Sequence, residues 1–152
     1  MKWNETTASQ CRYGDIAARI WGDAEILWED SDAGYQGHAT IVARMPDGRY
    51  CFYEWWYGSC ACCDDWEARD LSDDEIEQEM RETAVWFDNE KEFSKFLDMI
   101  ASGRYDYYRA SRRPDMEVLQ MIDLLCGGTV DRLNRMVKDI KERRQNNANR
   151  IP

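Results

Sequence analysis

The sequence has no long apolar run, since nothing in it approaches the roughly 20 residues that a membrane-spanning helix requires. Its first residues, Met1–Glu5, lack the apolar segment of a secretion signal. These absences predict a cytoplasmic protein with no membrane partner. In a reducing compartment, clustered cysteines are more often free thiols or metal ligands than disulfides.

Familiar catalytic motifs are missing as well. The sequence contains no glycine-rich phosphate loop, no protease-like cysteine signature and no zinc deaminase pattern of His-x-Glu with Pro-Cys-x-x-Cys. It has one histidine, His38, and no internal repeat. We therefore expect a protein that is not an enzyme, with zinc as the one candidate cofactor.

Large apolar side chains are plentiful. The 152 residues are 43% apolar and include seven Trp and eight Tyr. A chain of this length buries a substantial core without disulfide or metal staples, and the composition argues against disorder. The sequence predicts one domain over residues 1–152.

Negative charge is also plentiful, and it is concentrated. The net charge is −10, and residues 64–92 hold 13 Asp or Glu against three Lys or Arg. Residues 101–152 instead hold seven acidic and 11 basic residues. An acidic block repels nucleic acid and suits a partner with a basic surface. We expect a protein partner of that kind, and no direct binding of nucleic acid.

The pattern of the N-terminal part, about residues 14–60, predicts an antiparallel sheet of three or four strands. Alternating apolar residues on either side of Gly22-Asp23 predict a hairpin with strands over about 14–21 and 24–29. A helix over 14–21 is the alternative, because Ile16 and Ile20 are four residues apart.

A second hairpin follows, with strands over Gln36–Met45 and Arg49–Tyr57 around a Pro-Asp-Gly turn. The second strand carries aromatic residues on both faces, which favours a central strand covered on both sides. Hairpin geometry places His38 opposite Trp56 or Tyr57. The only histidine is thereby carried toward the cysteine-rich stretch that follows.

The C-terminal part, about residues 72–145, predicts four helices and thus an α+β fold. The first begins with a capping box formed by Ser72 and Glu75 and is expected to end near Asp88-Asn89. Apolar residues at helical spacing predict the other three, which end before Ser102-Gly103, run from Pro114 to Gly127-Gly128, and begin after Thr129.

Three of the six cysteines lie within four residues, between the predicted sheet and the first long helix. Cys60 and Cys63 have the two-residue gap of half a zinc site. A full site requires four ligands, and the candidates for the others are Cys62, His38, Cys51, Cys126 and Asp64. The alternatives are a tight loop with free thiols, a Cys60–Cys63 disulfide, and a nucleophilic Cys60 with His38 as base.

The helix that begins at Ser72 is rich in carboxylates. A row of carboxylates on a rigid helix imitates the phosphate row that a basic groove attracts. The alternative is a solvated face that keeps the protein soluble. The candidate partner-binding residues of this acidic face are Asp73, Asp74, Glu75, Glu79 and Glu82.

Residues 24–70 resemble a group of small proteins of bacteriophages and related mobile elements. In that group the core reads Tyr-Gly-Ser-Cys-Ser-x-Cys-Asp, and this sequence has Ala61 for the second Ser and an extra cysteine, Cys62. The matching segments are Ile26-Leu27-Trp28-Glu29-Asp30, Tyr35-Gln36-Gly37, Tyr57-Gly58-Ser59-Cys60, Cys63-Asp64 and Trp66-Glu67. The resemblance implies a phage setting and transfers no catalytic residue.

These features together predict a phage-encoded, non-enzymatic binding protein. Its expected role is to block a host nucleic-acid-binding protein through the acidic face, as an anti-CRISPR or other anti-defence inhibitor. The alternatives are a small zinc-stabilised structural or adaptor module and a thiol-dependent enzyme.

Overall fold

A computed structural model describes residues 1–62, 64–101 and 129–150. The chain divides into two compact units, Met1–Glu90 and Lys91–Pro152. The described strands are β1 (Glu25–Ser31), β2 (Gly37–Arg44), β3 (Tyr50–Tyr57) and β4 (Val85–Phe87). The described α-helices are α1 (Gly14–Trp21), α2 (Asp65–Ala68), α3 (Asp73–Thr83), α4 (Glu90–Ala101) and α5 (Thr129–Asn149). The fold is α+β, as predicted, whereas the single domain stays a prediction.

The four strands form one antiparallel sheet in the order β1-β2-β3-β4. The β2–β3 hairpin closes as predicted, with the Met45 N–H donating to the Arg49 carbonyl at 2.8 Å. Gly48 occupies the left-handed region at φ +90°, where a side chain would be strained. His38 pairs with Trp56, so the predicted register is confirmed.

The predicted strand over 14–21 is wrong, because this segment is helix α1. Ile16, Ala17, Ile20 and Trp21 are all buried. Their i, i+1, i+4, i+5 spacing has the helical period. The alternation read from the sequence left out Ala17 and Trp21, which bury their side chains on the same face as the two isoleucines.

The first long helix is shorter than predicted, because α3 ends at Thr83 rather than near Asp88-Asn89. Ala84 turns extended, at φ −63° and ψ 148°. The three residues that follow form β4, which pairs with the start of β3, Phe52 opposite Val85. The predicted capping box at the start of the helix is confirmed.

The core of the first unit lies between the sheet and helices α1 and α3. The Trp21 indole stacks on the Tyr53 ring with centroids 5.0 Å apart, and α3 contributes the buried Ile76 and Met80. Burying each of these aliphatic side chains stabilises the fold by about 1.5–3 kcal/mol. The opposite face of β3 is also buried, as predicted for a central strand, and there the Thr40 hydroxyl donates to the Glu54 carboxylate at 2.5 Å.

The second unit contains the rest of α4 together with α5. Phe93, Phe96 and Leu97 are buried on α4, and Met136, Val137 and Ile140 are buried on α5. Ion pairing of Lys141 with Asp98 at 3.1 Å joins the two helices. These two predicted helices are confirmed, whereas the one between Pro114 and Gly127-Gly128 lies outside the described residues. None of the helices in the described ranges has the length and apolar character needed to span a bilayer.

Candidate functional site

The cysteine-rich bend, residues 58–64, connects the end of β3 to the start of α2. Its two ends are tied together by Asp64, whose side chain is buried. The Gly58 N–H donates to Asp64 Oδ2 at 3.1 Å. The Glu67 N–H donates to Asp64 Oδ1 at 3.1 Å, which makes Asp64 the N-cap of α2. One carboxylate thus closes the bend and begins the helix that follows it.

Two residues just before α1 complete the surroundings of Asp64. The Tyr13 hydroxyl donates to Asp64 Oδ1 at 2.7 Å. The Arg12 guanidinium donates to the Gly58 carbonyl at 2.8 Å and to Glu67 at 2.7 Å, and it lies 3.4 Å from Asp64. Burial, with the hydrogen bond to Asp64, raises the pKa of Tyr13, so its hydroxyl stays protonated and remains a donor.

This arrangement gives Asp64 a structural role, and its candidacy as a metal ligand stays a prediction. Both of its oxygens accept hydrogen bonds from the protein itself. Residues 1–13 carry no clear pattern, so Arg12 and Tyr13 were not predicted. No local signal could have found them, because Tyr13 is 51 positions away from its partner.

The cysteines differ in accessibility. Cys60 and Cys62 are exposed, Cys11 and Cys51 are buried, and Cys63 and Cys126 lie outside the described residues. The Cys11 thiol lies 3.5 Å from the carbonyl oxygens of Thr7 and Asp32, and burial raises its pKa. Cys51 belongs to the core of the first unit.

Within the described ranges, no three His, Cys, Asp or Glu side chains are grouped so that they could hold one metal ion. Cys63, one of the predicted zinc ligands, lies outside the described residues. The ring of His38 lies against Trp56, with centroids 5.0 Å apart. The zinc site of Cys60, Cys63, Cys62 and His38 therefore stays a prediction.

The structure places all five predicted acidic residues on α3. Arg19 of α1 pairs with the first two of them, Asp73 at 3.6 Å and Asp74 at 2.9 Å. Their side chains nevertheless stay 69% and 92% exposed. Exposed ion pairs of this kind contribute little to stability, so these carboxylates remain accessible to a partner.

The other three acidic residues, Glu75, Glu79 and Glu82, accept hydrogen bonds from different partners. Glu75 accepts the Ser72 N–H at 2.8 Å in the capping box, and Glu82 accepts a hydrogen bond from Gln78 at 2.6 Å while remaining exposed. Glu79 accepts hydrogen bonds from Arg69 at 2.6 Å and from the Trp66 indole at 2.8 Å. Arg69 lowers the pKa of Glu79. Glu75 and Glu79 therefore help to hold the fold together, whereas Asp73, Asp74 and Glu82 are exposed and take no part in the capping box or in the pair with Arg69.

The charge of the chain is divided between the two compact units. Met1–Glu90 contains 21 Asp or Glu and seven Lys or Arg, a net charge of −14, and the remaining residues have a net charge of +4. The acidic surface is therefore a property of the unit that carries the sheet.

Comparisons of this chain with models of known protein families, with curated proteins and with solved structures find no match.

Proposed function

We propose that the protein is a non-enzymatic inhibitor that binds a host nucleic-acid-binding protein through the acidic face of α3. The contact residues are Asp73, Asp74 and Glu82, and the partner contributes a basic groove. In this account the carboxylates take the place of nucleic-acid phosphates, and the host protein is blocked because its groove is occupied.

The observation that carries this proposal is the accessibility of the acidic side chains at the start of α3. Asp73 and Asp74 are 69% and 92% exposed and belong to a unit with a net charge of −14. A rigid helix keeps such charges at fixed spacing, so little conformational entropy is lost when they meet a complementary row of cations. Attraction between the two surfaces also speeds their encounter.

The setting that we propose is the cytoplasm of a bacterial host during infection by a phage. It rests on the resemblance to proteins of bacteriophages and mobile elements that the motifs in residues 24–70 predict. The role of a small acidic inhibitor of a defence protein, such as an anti-CRISPR protein, fits both the phage setting and the concentration of acidic residues in one unit.

The test compares capture of proteins from a bacterial lysate by the parent chain and by D73N/D74N/E82Q. This triple variant removes three charges and leaves Glu75 and Glu79 in the contacts that hold α3. The matched control, D23N/E25Q/D47N, removes three exposed charges from the β1 and β2–β3 turn region. We expect the parent and the control to retain a nucleic-acid-binding protein that added DNA or RNA releases, and the α3 variant to lose it. Equal retention by all three chains would overturn the proposal.

A further inference from the structure

One arginine of the chain already pairs with two of the proposed contact residues. The Arg19 guanidinium lies 2.9 Å from Asp74 Oδ1 through one terminal nitrogen and 3.6 Å from Asp73 Oδ2 through the other. Arg19 belongs to the last turn of α1, and the two aspartates are the first residues of α3. A single planar cation from one helix thus spans two neighbouring carboxylates of another.

This ion pair is open to solvent. The side chain of Arg19 is 42% exposed, and those of Asp73 and Asp74 are 69% and 92% exposed. An exposed pair changes an equilibrium constant by at most about fivefold, because water competes for both partners and dissolved salt screens them. A cation of a bound partner can therefore replace Arg19 at small cost.

A second arginine of the same unit is held far more firmly. Arg69 donates four hydrogen bonds of 2.6–2.9 Å, two to Asp65 and two to Glu79. Glu79 also accepts the Trp66 indole N–H at 2.8 Å. In the described part of the chain, Arg19 instead donates a single hydrogen bond to α3, at 2.9 Å to Asp74. Arg19, rather than Arg69, is the arginine that a partner can displace.

We propose that Arg19 occupies the position of a partner's arginine and is exchanged for it on binding. This exchange rests on the proposed function, and it identifies the group that the basic groove contributes as a guanidinium, whose terminal nitrogens can each reach one carboxylate. Arg19 is then an intramolecular competitor that lowers the affinity of the acidic face. When it is removed, Asp73 and Asp74 stay in place, because carboxylates are favourable in the first turn of a helix.

The test measures the binding of fluorescein-labelled octa-arginine to the full-length chain by fluorescence anisotropy at physiological ionic strength. This peptide supplies the proposed group without the host protein. We expect Arg19→Gln to bind it about two- to fivefold more tightly than the parent, since one exposed competing pair is removed.

Arg49→Gln is the matched control. Arg49 is 45% exposed and pairs with Asp47 at 2.8 Å, so this variant removes the same charge from the same unit through a pair that does not involve α3. It should bind the peptide less than about 1.5-fold more tightly than the parent, because distant charges are screened by salt. An equal gain in Arg49→Gln and Arg19→Gln would show that only the net charge matters and would overturn the exchange.

A double-variant cycle shows whether Arg19 acts through the two carboxylates. In the D73N/D74N background, Arg19→Gln should give no gain, because the carboxylates that it would release are absent. A gain that persists there, or weaker peptide binding by Arg19→Gln in the parent background, would overturn the exchange. Thermal unfolding of each variant checks that the fold is kept.

The same variants are then compared on the captured host protein, which separates the exchange from the proposed function. Host binding by the parent without any gain from Arg19→Gln would overturn the exchange and leave the proposed function standing. A gain on octa-arginine when no nucleic-acid-binding protein is captured would support the exchange and overturn the proposed function.

Discussion

Asp64 holds three separate segments of the first unit together. Its carboxylate accepts hydrogen bonds from Gly58 at the end of β3, from Glu67 in α2 and from Tyr13 next to α1. It is buried, so each donor would be left without an acceptor if the side chain were removed. An unsatisfied buried donor is costly, and the Arg12 guanidinium, whose side chain is 36% exposed, would also lose its contact with Asp64.

We therefore expect Asp64→Ala to lower the free energy of unfolding by about 3 kcal/mol. Asp65→Ala, one residue later, is the matched control. The Asp65 side chain is 77% exposed and pairs with Arg69, so its removal should cost less than about 1 kcal/mol. Urea unfolding of the three proteins measures both values, and equal losses in the two variants would show that Asp64 does not hold the bend.

We expect Glu79 to make the free energy of unfolding depend on pH. Arg69 holds its pKa below the ordinary value of 4.5, so the folded state favours the carboxylate. The stabilisation is present in full above that value and is lost as the pH falls through the lowered pKa. Glu79→Gln should therefore cost about 1 kcal/mol at neutral pH.

The difference in unfolding free energy between the parent and Glu79→Gln should shrink as the pH is lowered from about 6 to about 3. Urea unfolding at several pH values measures it. Glu82→Gln is the control, because Glu82 is exposed and bonds only to neutral Gln78 among the contacts described. A gap that stays constant over the acidic range would contradict the ion pair between Arg69 and Glu79.

At the scale of elements, α3 depends on its first turn. The Ser72 hydroxyl accepts the Glu75 N–H at 3.2 Å, and the Glu75 carboxylate accepts the Ser72 N–H. Ser72→Ala should lower the free energy of unfolding by about 1 kcal/mol, and Ser72→Asp should largely restore it, because Asp is an equally good N-cap. Thermal or urea unfolding measures both. If the Asp variant is as unstable as the Ala variant, the capping role is wrong.

Local signals in the sequence were sufficient for some elements and insufficient for others. The Pro-Asp-Gly turn fixed the register of β2 and β3, because turn geometry determines which residues pair. The capping box located the start of α3. The segment 14–21 was misread because Ile16, Ala18 and Ile20 alternate as in a strand, whereas the helical face is marked only when Ala17 and Trp21 are counted with Ile16 and Ile20. β4 is three residues long and pairs with Tyr50–Phe52, more than 30 positions earlier, so no local pattern marks it.

The candidate site was predictable only in part. The position of the acidic residues on α3 follows from composition and from the capping box, whereas the exposure of Cys60 and Cys62 was not predicted. The role of Asp64 is local only in part, because Gly58 and Glu67 lie six and three positions away whereas Tyr13 lies 51 positions away. The engagement of Glu79 by Arg69 and Trp66 also depends on tertiary contacts.

Across the whole chain, the two compact units differ in net charge. The unit that carries the sheet has a net charge of −14, and the rest of the chain has +4. A surface of this strength attracts basic partners at long range, and the attraction weakens as salt is added, because screening shortens its reach to about 8 Å at physiological ionic strength. The variant D73N/D74N/E82Q replaces three carboxylates by neutral amides and leaves the unit acidic. It therefore tests the position of the charges rather than the net charge.

The most direct measurement uses the nucleic-acid-binding protein captured by the parent chain, purified and loaded with a fluorescent nucleic acid. The chain is titrated against this complex, and the displaced nucleic acid is followed by fluorescence anisotropy. We expect displacement by the parent and by D23N/E25Q/D47N, and a loss of more than about tenfold in potency for D73N/D74N/E82Q, which is about 1.4 kcal/mol. Displacement by all three with the same potency, or binding by the parent that leaves the nucleic acid in place, would contradict it.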